Sequence, residues 1–144
     1  MLTHEYSYAQ CLRGSVRNAW TVDDCFQGRD FDFTKSFLPD RIAGVTGISC
    51  LNDLEKRQLN QIRGNSYCHI FAFVEEYIVP MVMANANRDV FGDETRLWSL
   101  LRFAEEEVKH QEMLRRACEQ FEKGFAVPCG LWQSLHFIDP SGTR

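Results

Sequence analysis

The sequence has no stripe of a single charge sign, no Cys-x-x-Cys pair and no apolar run near its first residues. Each absence removes a class of function. A net charge of -4, with Lys and Arg scattered among acids, supplies no basic field for a phosphate backbone, so nucleic acid is not expected as a partner. The six cysteines stand far apart, without zinc-finger spacing, and Thr3, His4, Glu5 and Arg13 occupy positions where a secretory signal needs apolar side chains. A reducing, cytoplasmic setting follows as the expectation, with Cys68 and Cys118 acting as small apolar packing residues inside helices. The most apolar stretch, around Ile70 to Met83, is interrupted by Glu75, Glu76 and Pro80. It reads as too short and too charged to span a bilayer, so a soluble protein without a membrane partner is expected. Internal repeats and low-complexity segments are missing as well.

What is present suits a packed helical domain. At 144 residues, a hydrophobic share of 44% with 12% aromatics is enough for one core. Residues 1–50 mix turn formers with aromatics, as in Asp30-Phe31-Asp32-Phe33-Thr34 and Leu38-Pro39-Asp40. This predicts an irregular N-terminal arm lying against a helical body through Trp20, Phe31, Phe33 and Phe37, with room for a short helix between Tyr8 and Trp20.

Residues 51–126 read as a helical hairpin and 127–144 as a short tail. Asn52 is a helix cap and Glu55 stands where it can return the bond. Leu54, Leu59, Ile62, Ile70, Phe73, Tyr77 and Met81 then recur at steps that fit one helical face, to about Ala84, with Pro80 expected to kink or locally open the helix. Residues 85–92 form a connection. Asp93 caps a second helix whose stripe runs through Leu97, Leu100, Leu101, Ala104, Val108, Gln111, Leu114, Cys118, Phe121 and Phe125, ending near Lys123-Gly124. Each helix has roughly thirty residues, on the order of 45 Å, and a short link makes them antiparallel.

Chemistry is concentrated in that hairpin. Glu107 and His110 are three apart and project from one face, and Glu-x-x-His on a helix is the ligand unit of carboxylate-bridged di-iron sites. The pair alone is a weak signal, because a solvated Glu/Lys/His face gives the same letters in the run Glu105-Glu106-Glu107-Val108-Lys109-His110. Position strengthens it: Glu107 stands in the middle of the apolar stripe, where a bare carboxylate is costly. On the first helix Glu75 and Glu76 interrupt the most hydrophobic segment, and Glu76, in helical register with Ile62 and His69, is the one expected on the core face. Counted from the connection, Glu76 and Glu107 fall at similar heights. Glu76, Glu107 and His110 are therefore the expected metal ligands, with iron favoured by hard oxygen donors beside one imidazole and manganese as the alternative. His69 is either a hydrogen-bonded core histidine or a neighbour of the site, and Tyr67 and Tyr77 read as packing residues.

At Leu59-Asn60-Gln61-Ile62-Arg63-Gly64-Asn65, Phe73-Val74-Glu75-Glu76-Tyr77-Ile78 and Leu101 to His110, the chain resembles the ferritin-like di-iron carboxylate superfamily, nearest to bacterial p-aminobenzoate N-oxygenase-like ferritin-like proteins. The likeness covers roughly residues 28 to 130. It implies an all-α four-helix bundle in which one core helix gives a glutamate, matching Glu76 or Glu75, and the next gives Glu-x-x-His, matching Glu107 and His110. A second helix pair supplies the remaining ligands in that family, and nothing after Phe125 can furnish it here. The hairpin is thus expected to be half of such a bundle, completed by a homodimer or by further chain. The expected function is a di-iron oxidase or oxygenase using O₂ and a small-molecule substrate. A ferroxidase or iron-storage half-ferritin and a metal-free helical interaction module are the alternatives.

Overall fold

A computed structural model describes residues 7–126, in which every regular element is a helix. The expectation for 127–144 lies outside the described residues. Two long helices, α4 (Asp53–Asn87) and α5 (Glu94–Phe125), form a helical hairpin, and three short ones precede them: α1 (Tyr8–Arg17), α2 (Val22–Phe26) and α3 (Asp40–Ala43). The N-terminal arm is therefore more regular than its turn-rich composition suggests. Local capping explains why. Ser7 and Gln10 exchange bonds at the start of α1, and Thr21 and Asp24 do the same for α2, so these two helices have a first-turn amide satisfied by a side chain, which α3 lacks. Gly44 ends α3 in the left-handed region, at φ 59°, which a glycine adopts without cost.

The long helices start where the sequence places them. Asn52 Oδ1 accepts from the Glu55 amide at 3.0 Å while Glu55 Oε2 accepts from the Asn52 amide at 2.8 Å, and Asp93 Oδ1 accepts from the Arg96 amide at 3.0 Å. Helix α4 runs past Ala84 to Asn87, and Pro80 lies inside it without ending it.

The chain divides into two compact units, each using a segment of both long helices. In the first, residues 7–28 accompany Ala72–Met113. Ser99 Oγ donates to the Tyr8 carbonyl at 2.6 Å, Arg96 reaches the Tyr8 hydroxyl at 3.2 Å, and Arg102 Nε meets Ser15 Oγ at 3.2 Å, so α1 is fastened to α5 by polar contacts along its length.

In the second unit, Arg29–Phe71 accompany residues 114–126. Phe31, Phe33 and Phe37 surround Phe121, with ring centroids 5.1, 6.0 and 4.8 Å from it, and Phe121 is only 1% exposed. Polar side chains hold the arm's backbone beside that cluster. Asn60 Oδ1 accepts from the amides of Phe37 and Leu38, its Nδ2 donates to the Leu38 carbonyl, and Gln61 donates to the carbonyls of Phe33 and Lys35. Gly124 is required by closeness: a Cβ there would stand 2.1 Å from the Phe33 ring. The expectation that the aromatic arm packs on a helical body is met, and Cys118 is buried as expected.

The core-facing side of α4 is not the one its largest apolar residues mark. Within the second unit Gln61, Asn65 and His69 are buried, and within the first Ala72, Val82 and Ala86 are, whereas Leu54, Ile62, Ile70, Tyr77 and Met81 are all more than half exposed. Small and amide side chains let a neighbour approach closely, and the bulky ones point away. One consequence corrects the sequence reading. An 18-residue window of α4 has mean hydropathy 1.3 and at most two charged residues, so by length and composition the helix is apolar enough to cross a membrane despite Glu75, Glu76 and Pro80, and only 17% of that window is buried. A core helix of a soluble protein meets the same criterion.

A candidate metal centre in the first unit

Three side chains converge in the first unit. Glu75 comes from α4, and Glu107 and His110 come from one turn of α5; one ligand atom from each lies within 4.8 Å of the others. His110 Nδ1 is 3.4 Å from Glu107 Oε2 and 3.7 Å from Glu75 Oε1. The two helices are tied together at this height by Gln111, whose Nε2 donates to the Glu75 carbonyl at 2.9 Å. Because α5 has 3.6 residues per turn, Gln111 follows Glu107 by about one turn, so the amide that fixes the backbone and the carboxylate share a face.

The sequence-predicted residues divide at this point. Glu107 and His110 are brought together, with Glu107 buried at 5% exposure. Glu76 is not with them: it lies on the exposed side of α4, and its neighbour Glu75 takes the inward position. The reason is that in the first unit the buried side of α4 is the one carrying Ala72, Val82 and Ala86. Adjacent residues on a helix differ by about 100° in direction, so the register of Ile62 and His69 selects Glu76, whereas that of Ala72 and Val82, buried in the first unit, selects Glu75. His69 belongs to the second unit, where it is 4% exposed and outside the cluster, and burial lowers its pKa against the opposing pull of Glu122. Tyr77 meets Phe73, one turn earlier on α4, edge-on at 4.9 Å, but it is 56% exposed and is not a core residue within the first unit.

Electrostatics single out Glu75. Burial, then a hydrogen bond with Glu107, then the Glu107 charge push its carboxyl up to about 7, and the nearby His110 offsets part of this. Its Oε2 is buried without a hydrogen-bond partner. Two carboxyl groups in one dry place repel when both are ionised, and the arrangement is relieved either by a shared proton or by a cation.

The donor set fits a divalent cation. Two carboxylates and one imidazole suit iron, manganese or zinc, with no soft sulfur ligand to favour copper(I). Three protein donors can seat one ion and leave positions open, but they are too few to saturate two. The remaining acids of the Glu105-Glu106-Glu107 run are otherwise engaged. Lys109 Nζ pairs with Glu105 at 3.0 Å and Glu106 at 3.1 Å, Arg102 pairs with Glu105, and Glu106 also accepts from the Trp20 indole.

Gln111 and Trp20 are the neighbours that sequence reasoning did not assign to the site. Gln111 was visible as a polar residue on an apolar stripe; Trp20 carried no signal, since it reaches α5 across 86 residues of chain. Compared with known protein families, with curated proteins and with solved structures, the chain matches none.

Proposed function

We propose that this chain is a metal-binding protein of the ferritin-like di-iron carboxylate kind, in which Glu75, Glu107 and His110 hold one ion per chain. The observation that carries the reading is the convergence of these three groups, together with the buried, unpartnered Oε2 of Glu75. An ion there satisfies that oxygen and cancels the repulsion between the carboxylates. In this reading Glu75 and Glu107 supply hard oxygen donors and charge, His110 supplies Nδ1, and Gln111 holds α4 and α5 in register at the site. Iron, when bound, would supply the electrons for O₂ reduction, which makes an oxidase or oxygenase the proposed reaction class; manganese fits the same donors.

A second copy of the chain is part of the proposal. Val74 and Tyr77 on α4, with Trp98 and Val108 on α5, leave apolar side chains about half exposed in the first unit. Exposed apolar surface of this kind marks an interaction face more often than a bare one. Two copies would together offer four carboxylates and two imidazoles, the ligand set of a di-iron site. A lipid-covered α4 is less favourable, because Glu75 and Glu76 would enter the bilayer at a cost of roughly 2 to 4 kcal/mol each.

Metal analysis of protein purified from iron-supplemented cells tests the reading. The wild type should carry about one iron per chain, and Glu107→Ala and His110→Ala should carry little while keeping their helical circular dichroism. Metal-free wild type with unchanged folding in both variants would leave only a helical interaction module. Sedimentation of the same samples reports the assembly: a dimer agrees with the shared site, whereas a much larger shell with mineral uptake would indicate iron storage.

A further inference from the structure

Trp20 sits in the turn between α1 and α2, far from the hairpin in sequence, yet its ring stands beside the imidazole of the group formed by Glu75, Glu107 and His110. Its ring stacks against His110 with centroids 5.8 Å apart and an interplanar angle of 24°. Its Nε1 donates to Glu106 Oε2 at 2.5 Å, and Lys109 Nζ stands 5.7 Å over the ring. The indole is therefore held on three sides by consecutive features of one α5 turn. His110 is the most open of the three cluster residues, with 37% of its side chain exposed against 15% for Glu75 and 7% for Glu107.

We infer that Trp20 is a positioning residue for the metal site: its indole forms the outer wall over His110, fixes the ring with Nδ1 turned toward Glu75 and Glu107, and limits water on that side. This rests on the cluster binding a metal. An imidazole on a helix has two soft torsions, and a stacked partner removes much of that freedom before an ion arrives, so less ordering is left to be done on binding. Groups behind a first ligand commonly set its orientation and change metal affinity when removed. The Glu106 bond only anchors the edge of the indole on α5, and Lys109 holds Glu106 in place without it. The role belongs to the aromatic face rather than the N–H group, which makes phenylalanine the discriminating replacement.

Mn(II) added to metal-free protein is the probe, with binding followed by the electron paramagnetic resonance signal of free Mn(II) and by water-proton relaxation of the bound ion. Trp20→Ala should weaken binding about 10- to 100-fold and raise relaxation per bound ion, because more water reaches it. Trp20→Phe should restore both values close to wild type, and circular dichroism should be the same for all three proteins. In the wild type, bound Mn(II) should quench indole fluorescence, and the quench should survive Trp98→Phe and vanish in Trp20→Phe. Wild-type protein that binds Mn(II) while Trp20→Ala binds it equally well overturns the inference alone. So does an equal loss in the Ala and Phe variants with unchanged relaxation, which would mark a merely structural residue. No Mn(II) binding by the wild type overturns the metal site itself, and the role of Trp20 with it.

Discussion

Each of the two units buries polar side chains, and one group in each, Asn60 with Gln61 and Glu75 with Glu107, does so in opposite ways. In the second unit Asn60 is fully buried, yet its amide makes three hydrogen bonds to the arm's backbone, and Gln61 makes two more. In the first unit Glu75 and Glu107 are gathered beside His110 at distances longer than good hydrogen bonds, and Glu75 Oε2 has no partner. A satisfied buried amide is an architectural device, since its bonds fix a loop on a helix and leave nothing to bind. An unsatisfied, like-charged cluster costs free energy unless something else joins it, which is the pattern of a site. The contrast is between two groups of side chains and not between whole units, since Asn65 Oδ1 in the second unit is also buried without a hydrogen bond: Asn60 and Gln61 hold shape, and Glu75 with Glu107 and His110 forms the candidate for chemistry.

The comparison can be broken most forcefully in the second unit. Phe121→Ala removes the ring around which Phe31, Phe33 and Phe37 gather, and should cost about 3 to 5 kcal/mol of stability in urea unfolding, with metal content per folded chain unchanged. Asn60→Ala leaves the amides of Phe37 and Leu38 and one carbonyl without their partner. A loss of roughly 1 to 3 kcal/mol is expected, again read by urea unfolding. If either substitution abolished metal binding in protein that still folds, shape and chemistry would not be separable in this way.

Glu75→Gln should act in the other direction and more gently. In the metal-free fold the Glu75 carboxyl is held up to about 7, above its unfolded value of about 4.3. The folded state therefore keeps the proton more tightly, and its contribution is fully present below the unfolded value and lost as pH rises through about 7. Metal-free wild type should lose stability across that window, and the Gln variant, with nothing to ionise, should show a flatter profile in thermal unfolding. A wild-type profile that rises with pH over the same range would contradict the shared-proton description.

Much of this was legible beforehand, and the part that was not has a common cause. The caps at Asn52 and Asp93 are local, needing only side chains three residues apart, and they set the helix starts correctly. Glu107 and His110 were readable for the same reason, as a pair on one turn. The choice between Glu75 and Glu76 was not local. It depends on which side of α4 meets α5, and α4 carries apolar residues so evenly around its axis that no single face dominates. Its buried side is lined by Ala72, Asn65 and Ala86, small or polar residues that a search for large apolar side chains passes over. Trp20 was out of reach for a similar reason, since its partners are set by how the arm folds back and by nothing in its neighbouring sequence.

The central claim is that the buried side of α4 delivers Glu75, and not its neighbour, to the imidazole and carboxylate of α5. Parallel Mn(II) titrations of Glu75→Ala and Glu76→Ala test it most directly. The account predicts that Glu75→Ala loses binding by about 100-fold or more, in the manner of a lost metal ligand, while Glu76→Ala titrates like the wild type at about one ion per chain. Loss in Glu76→Ala with retention in Glu75→Ala would contradict it.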